Sequence, residues 1–533
     1  MPAPAPGPNN RPAPLPSDYS DITSQLDQIR SIASTPDPNL RGYIRQRGLE
    51  NFGVAGTTEW RRLAETREEV VKFTPSNNVQ GFARIEGRRV VLTADDFTLR
   101  AGHADGALMD KTVYMEKLSH SLQLPIIKLT DGSSGGGSVT TIKSEGWSYV
   151  PPMHYLQPVI KQLNQGIPNL GACLGPAIGF GAARLVACHF TVMAGDIGSL
   201  FSAGPQIVAG ATFEEGLTKE TLGGPAIHCT NGTIDNLAAN EAGCFEQIKT
   251  VLGYLPNSGA HLPPVTPCSD PCSRISSELR SIIPRRRERM YNPRRIIKAV
   301  VDKESWFEIG ALWGTTTIVG LARFDGRPVG IIASNCEVNA GAIDALGAQK
   351  VTRHLKFCDI FNLPIVQFVD VPGYAIGTAA ERSAVMRYGV QLGTTYFATT
   401  VPIFNVILRK VYGVAGGLMV DSRDPRMRVA WPSGEWGSVP LDGGIEVAHR
   451  HELSETERKQ GKDARDQQYR ELDQDYRLLM NPVRTANAFN IEEIIDPALT
   501  RPLLCEWLGH IYEDLLPIRV AERVCGKLVP SWT

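Results

Sequence analysis

The sequence lacks what would commit it to a membrane, to nucleic acid or to an oxidising compartment. No apolar run approaches the ~20 residues that a membrane-spanning helix needs. Neither sign of charge prevails: 55 Lys and Arg stand against 56 Asp and Glu. No global field therefore steers the protein toward nucleic acid or an anionic surface. The 10 Cys are scattered without the spacing of a disulfide-stapled domain, and reduced thiols are the default. Cys268 and Cys272 sit together in PPVTPCSDPC, but no second Cys/His pair lies close by, so plain thiols are expected. The opening MPAPAPGPNNRPAPLPSDYS has no apolar core of a secretory signal and reads as a flexible tail over 1–40. An intracellular place is expected, in the cytoplasm or the mitochondrial matrix.

Familiar chemical motifs are also missing. There is no G-x-x-x-x-G-K-[ST] loop for ATP and no H-E-x-x-H pair for zinc. His103, His189 and His354 each stand alone, and no bound metal is expected.

What is there is a repeat. GFARIEGRRV, AGHADGALMDK and LPIIKLTDG of residues 81–131 return as GLARFDGRPV, AGAIDALGAQK and LPIVQFVDV of residues 320–370. Gly81 answers Gly320, Gly102 answers Gly341, Lys111 answers Lys350, Pro125 answers Pro364 and Asp131 answers Asp370. The offset is constant at 239 (320 − 81, for instance). After a variable loop, IPNLGACLGPAIGFGAA answers VPIFNVILRKVYGVAGG. There Gly179, Phe180 and Gly181 align with Gly413, Val414 and Ala415. Repetition over such a length means two tandem domains of one fold. Short apolar strands such as LPIIKLTDG alternate with helical patterns such as MDKTVYMEKLSHSLQ. That alternation implies an α/β fold of βαβ units on a mainly parallel sheet. Residues 40–75 carry a helical pattern around EWRRLAETREEVVKF. A Pro-, Ser- and Arg-rich linker separates the copies at about 255–293, and its PRRRERM reads as the start of a solvated helix.

The chemistry points to the backbone. Both GPAIGFGAA and YGVAGGLM follow a strand and open a helix. At such a place several N–H groups have no helical partner and face outward with the helix dipole behind them. Small residues let a ligand approach, while Phe180 and Val414 must turn their side chains away. Two such turns at matching places read as paired oxyanion holes. A different reading comes from Gly132-Ser133-Ser134-Gly135-Gly136, the outline of a hydrolase elbow with Ser134 as nucleophile. It is disfavoured, because the second copy has DVPGYAIG without a Ser there and three Gly start a helix poorly.

Together, DVPGYAIGTAAERSAVMRYGVQL, the AGAID…K segment and the paired turns resemble the carboxyltransferase (beta) subunit of biotin-dependent acyl-CoA carboxylases, of the propionyl-CoA and methylcrotonoyl-CoA type. The resemblance runs from about Gly81 to Arg501. It implies two crotonase-like ββα-superhelix domains: 41–280 on the acyl-CoA side and 281–533 on the carboxybiotin side. It implies that Gly179, Phe180 and Gly181 hold the thioester enolate, and that Gly413, Val414 and Ala415 hold the charge left on the biotin ring. Gly135, Gly136, Gly137, Gly341, Ala342, Gly373 and Gly417 are implied to line the substrate. It further implies a homo-hexamer, and a site where one subunit's first domain meets another's second. No Met-Lys dipeptide is present to carry biotin. The cofactor is therefore expected on a partner, a biotin carboxylase/biotin carrier subunit. The chain departs from the family at DGSSGGG, where many members have DSGGAR. It departs again at Phe180, where many have Gly, and at Gly417, where a propionyl-type member has Asp. These departures leave open which acyl-CoA is used. A decarboxylase subunit and a non-catalytic, beta-like scaffold are the alternative readings.

Overall fold

The computed structural model of the protein describes residues 24, 26, 27, 56–65, 67–102, 109–132, 142–143, 146–148, 150, 153, 155–286, 288–423 and 425–533. The expected tail over 1–40 lies outside them but for three positions.

The first element described in full corrects an expectation. Residues 56–75 are not helical. They form an antiparallel hairpin of β1 (Gly56–Ala64) and β2 (Arg67–Pro75). The charges that suggested a helix surface are cross-strand partners: Arg61 pairs with Glu69 and Lys72 with Glu59. Opposite charges facing each other favour a strand pair. Val70 and Phe73 give the hairpin its buried side.

The first copy of the repeat is a seven-stranded sheet. Its strands are β3 (Asn78–Ile85), β4 (Arg88–Asp95), β5 (Ile126–Gly132), β6 (Asn169–Ile178), β7 (Phe190–Ala194), β8 (Ser199–Phe201) and β9 (Asn236–Ala238). The order is β3-β4-β5-β6-β7-β9, with β8 beside β6. Only β3 and β4 run antiparallel. Among the helices between and after the strands are α1 (Met109–Leu122), α2 (Leu156–Gln165) and α3 (Phe180–Val186).

The second copy repeats this path with β10 (Phe307–Ile309) added at its edge. It comprises β11 (Thr317–Phe324), β12 (Arg327–Ser334), β13 (Ile365–Val371), β14 (Ile403–Tyr412), β15 (Arg428–Ala430), β16 (Glu435–Gly437) and β17 (Glu493–Ile494). Among its helices are α4 (Ala345–Ile360), α5 (Val385–Ala398) and α6 (Gly413–Val420). The register is the same to the residue: Gly81 faces Leu92, and Gly320 faces Ile331. The irregularity between Thr130 and Gly132 recurs between Val369 and Val371. Glu86-Gly87 and Asp325-Gly326 all have positive φ, as the two-residue hairpin turn requires. β5 and β13 are buried along their whole length, as central parallel strands are.

The two sheets share a core in which Leu170 and Val192 belong to one cluster with Ile332, Leu355 and Ile365. The segment between them is tied down by Arg501, which is fully buried. Arg501 donates to the carbonyls of Asp270 and Val300 and pairs with Asp302 at 2.7 Å. PRRRERM does not start a helix: Arg285 and Arg286 lie exposed in an irregular bend, and the next helix begins at Pro293. Cys268 and Cys272 are free and half-buried. Among the described residues no helix is long and apolar enough to cross a membrane.

The repeat also duplicates a lysine, half-buried as Lys111 in the first copy and buried as Lys350 in the second. Lys111 donates to the carbonyl of Asn78 at 2.7 Å. Lys350 donates to those of Gly310 and Trp313 at 3.0 and 2.9 Å. Burial pushes the Lys350 pKa down from 10.5 to about 7. The unfolded chain keeps this proton up to its ordinary pKa, whereas the folded chain releases it above about 7. Stability from this group therefore rises with pH across that window. The Tm of the wild type minus that of Lys350→Met should grow from pH 7 to pH 10 in thermal scans; a flat difference contradicts the buried assignment.

Packing yields a second prediction. A Cβ on Gly175 would lie 1.9 Å from Asp131 Oδ1, whereas one on Gly417 meets nothing within 4 Å. Gly175→Ala should cost about 1–3 kcal/mol in urea unfolding. Gly417→Ala, inside a helix, should cost nothing or gain up to about 1 kcal/mol.

Candidate active site

The first turn closes a fully packed strand. β6 is buried from Asn169 to Ala177, and Gly179 then takes φ 55 and ψ −113, which a side chain would resist. The Gly179 amide donates to the Phe201 carbonyl at 2.9 Å, so β8 fixes the corner and this amide is spent. Phe180 begins α3, and the amides of Phe180 and Gly181 have no acceptor within their own helix. Gly181 is buried. The Phe180 ring turns inward and meets Tyr155 edge-on at 5.1 Å. That leaves the backbone, rather than the ring, to define the corner.

The second turn follows the same plan. β14 ends at Tyr412, Gly413 takes φ 60, and α6 opens there. Val414 points outward at 67 % exposure, while Ala415 is buried. Gly416 packs so tightly that a Cβ would lie 2.9 Å from the Val411 carbonyl carbon. Gly417, one residue further, faces open space.

Two other loops meet beside the second turn's sheet edge. The segment after β12 carries Gly341 and Ala342, and the segment after β13 carries Gly373. The Ile343 amide donates to the Gly373 carbonyl at 3.1 Å, and the Ala375 amide to the Ile343 carbonyl at 2.9 Å. Gly341 has φ 86 and sits 2.7 Å, from its would-be Cβ, against the Asp370 carbonyl oxygen. Gly373 has φ 136 and open space around it. The structure thus brings Gly341, Ala342 and Gly373 to the carboxyl ends of adjacent parallel strands, where α/β sheets bind ligands. Gly135, Gly136, Gly137 and Ser134 lie outside the described residues.

Sequence reasoning did not find the charges beneath these turns. Under the second, Arg409 pairs with Asp370 at 3.0 Å, and both are buried. Asp370 also accepts the Lys410 amide at 3.1 Å and the Tyr291 hydroxyl at 2.9 Å. Burial raises the Tyr291 pKa well above its ordinary value, and the Asp370 carboxylate adds to this. Under the first turn, Arg184 pairs with Asp95 at 3.3 Å, again buried on both sides. The one available signal was a lone Arg in the apolar helix GFGAARLVA. Among the described residues no His, Cys, Asp and Glu cluster is built to hold a metal.

Two turns whose first helical amides meet no acceptor among the described residues are equipped to stabilise negative charge on oxygen. A family model described as the carboxyl transferase domain matches residues 58–513. The chain is 32% identical over 439 residues to the propionyl-CoA carboxylase beta chain, mitochondrial, of Homo sapiens, covering 81% of this chain and 77% of that one. It is 30% identical to the methylmalonyl-CoA decarboxylase subunit alpha of Veillonella parvula, covering 81% and 82%. A transcarboxylase 12S crystal structure, described as a hexamer assembly with methylmalonyl-coenzyme A bound, superposes with a TM-score of 0.74 at 25% identity, over 93% of this chain and 92% of that one. The duplicated sheets are thus the expected crotonase-like pair. Matched by the family model over most of its length, the chain belongs to the carboxyl transferase domain family, the carboxyltransferases of biotin-dependent acyl-CoA carboxylases.

Proposed function

We propose that the protein transfers a carboxyl group between carboxybiotin, borne on a partner subunit, and the α (or vinylogous) carbon of an acyl-CoA. The observation that carries this is the duplicated corner, whose amides at Phe180 and Gly181 in one copy and at Val414 and Ala415 in the other meet no acceptor among the described residues. The α-proton of a thioester is far too weakly acidic to leave unless charge on the carbonyl oxygen is stabilised. The Phe180 and Gly181 amides take that oxygen and tighten as its charge grows; each such donor is worth about 3–4 kcal/mol in a dry site. Gly179 acts through its conformation, since its own amide is already bonded to Phe201. In the second copy, Val414 and Ala415 receive the ring urea oxygen, with Gly413 shaping the corner. Open space at Gly373 and Gly417 fits a flat ring lying close to the backbone. Carboxybiotin, when bound, supplies the carboxyl group and the nitrogen that accepts the α-proton. No side-chain base is required.

On this reading residues 41–280 serve the acyl-CoA and residues 281–533 the carboxybiotin. A biotin carboxylase/biotin carrier subunit supplies the biotin, and the chain assembles as a homo-hexamer. The relative named as a methylmalonyl-CoA decarboxylase subunit favours a second reading, in which the same corners run the transfer in reverse.

The test uses the chain purified with its co-purifying biotinylated partner, identified by streptavidin. Propionyl-, acetyl- and methylcrotonoyl-CoA are offered for carboxylation, and methylmalonyl-CoA for decarboxylation. Carboxylation should proceed with at least one thioester. Gly181→Val and Ala415→Val should each slow transfer about a hundredfold, by blocking approach to an oxyanion donor. Transfer undiminished in both variants removes the proposal.

A further inference from the structure

The two copies support their corners differently. Beneath the first lie four charged groups and a phenol, all buried: Asp95, Glu116, Lys128, Arg184 and Tyr155. Tyr155 donates its hydroxyl to Glu116 at 2.6 Å, and Lys128 lies 3.1 Å from the same carboxylate. Burial opposes the Lys128 charge, but Glu116, Tyr155 and Cys188 together outweigh it and hold the ammonium protonated. Arg184 lies over the Tyr155 ring at 5.9 Å, the same ring that Phe180 meets edge-on. At the matching positions the second copy has Ser334, Leu355, Gln367 and Leu418, with no charge at all. Its guanidinium comes from Arg409, which stands where the first copy has Gly175. Without a Cβ at Gly175, the Asp131 carboxylate occupies that space.

We propose that Arg184, gripped by Asp95 and Tyr155, is the positioning residue that aims the Phe180 and Gly181 amides, as Arg409 with Asp370 aims those of Val414 and Ala415. This rests on the function proposed above.

The geometry argues as follows. α3 has 7 residues and few internal bonds, so its direction depends on what its side chains grip. Arg184 is four residues after Phe180, on the same face, and helix side chains lean toward the N-terminus. It therefore reaches back under the open amides. Its anchor, Asp95, ends β4 and also accepts the Asp131 amide from β5 at 3.4 Å. One carboxylate thus ties two strand ends to the helix that carries the donors. Tyr155, at the start of α2, closes the other side by touching both Arg184 and Phe180. In the second copy the grip comes from the strand instead. Arg409 lies four residues before Gly413, and Asp370 holds the amide of Lys410.

Removing Arg184 alone would leave a buried carboxylate unpaired and threaten folding. The informative change is the double variant Asp95→Ser/Arg184→Leu, which copies the pair found at Ser334 and Leu418. Arg184→Lys keeps the charge and loses the planar fork. Both are assayed in the full complex with the biotinylated partner. The readouts are kcat and KM for the acyl-CoA, and CO2 release from carboxybiotin without acyl-CoA. The double variant should lose about tenfold to a hundredfold in kcat, the scale of a misplacement of about 1 Å. Its KM should stay within about twofold, since interactions made only in the transition state act on kcat, and its CO2 release should match the wild type. Arg184→Lys should fall between the two. Arg409→Lys should show the opposite pattern, with CO2 release reduced. A folded double variant with wild-type kcat overturns the role of Arg184 alone. Equal loss in both readouts overturns it in favour of a merely structural part. If the double variant does not fold, Arg184→Lys decides by the same split. A wild-type complex that transfers nothing removes the function reading and this role with it.

Discussion

A helix begins with N–H groups that its own turns cannot satisfy, and this protein places two such beginnings at the ends of buried parallel strands. The rest of the structure serves that constraint. β6 is hydrogen-bonded to β5 along most of its length, to β7 over Leu170–Cys173 and to β8 over Pro176–Ile178. Its last residue therefore has little freedom. Gly179 and Gly413 turn the chain through positive φ, and the donors that follow are fixed before any ligand arrives. Donors held in place need no reorganisation when charge develops, which is the source of their catalytic worth.

Duplication supplies two such corners, and divergence beneath them supplies independence. The backbone register, the strand irregularity and the tight turns are shared residue for residue. The supporting side chains are not. One corner rests on a charged network reached from the helix, and the other on an ion pair reached from the strand. Buried ion pairs are weak sources of stability, since desolvation offsets much of the attraction. Their value here is geometric: a guanidinium and a carboxylate fit in few orientations. On the proposed reading, the corner for the thioester and the corner for the ring urea can thus be adjusted separately.

Phe180 illustrates how a departure from the family pattern is absorbed. A large ring beside a donor amide threatens the approach of a ligand. Here it turns inward onto Tyr155 and becomes part of the support. Val414, at the same register, points the other way and is mostly exposed. The backbone is common to both positions, so the side chain was free to take on a different task in each.

Much was legible in the sequence because the repeat is written at a constant offset. Gly81 with Gly320, Lys111 with Lys350 and Asp131 with Asp370 announced two copies of one fold, and strand-like apolar runs between helical patterns announced its class. The hairpin at 56–75 was not legible in the sequence, because alternating acids and bases suit a helix surface and a strand pair equally until the partner strand is known. The Asp95–Arg184 pair spans 89 residues, and Arg501 reaches Asp270 across 231; no local pattern records such meetings. That the Gly179 amide is bonded to Phe201 follows from where β8 lies, a matter of sheet pairing. The sequence by itself determined the duplication, the α/β class and the two corners, since these are local and periodic. Only the tertiary structure decided that the Gly179 amide is spent on Phe201 and that buried ion pairs lie beneath both corners, because both depend on contacts between segments far apart in the chain.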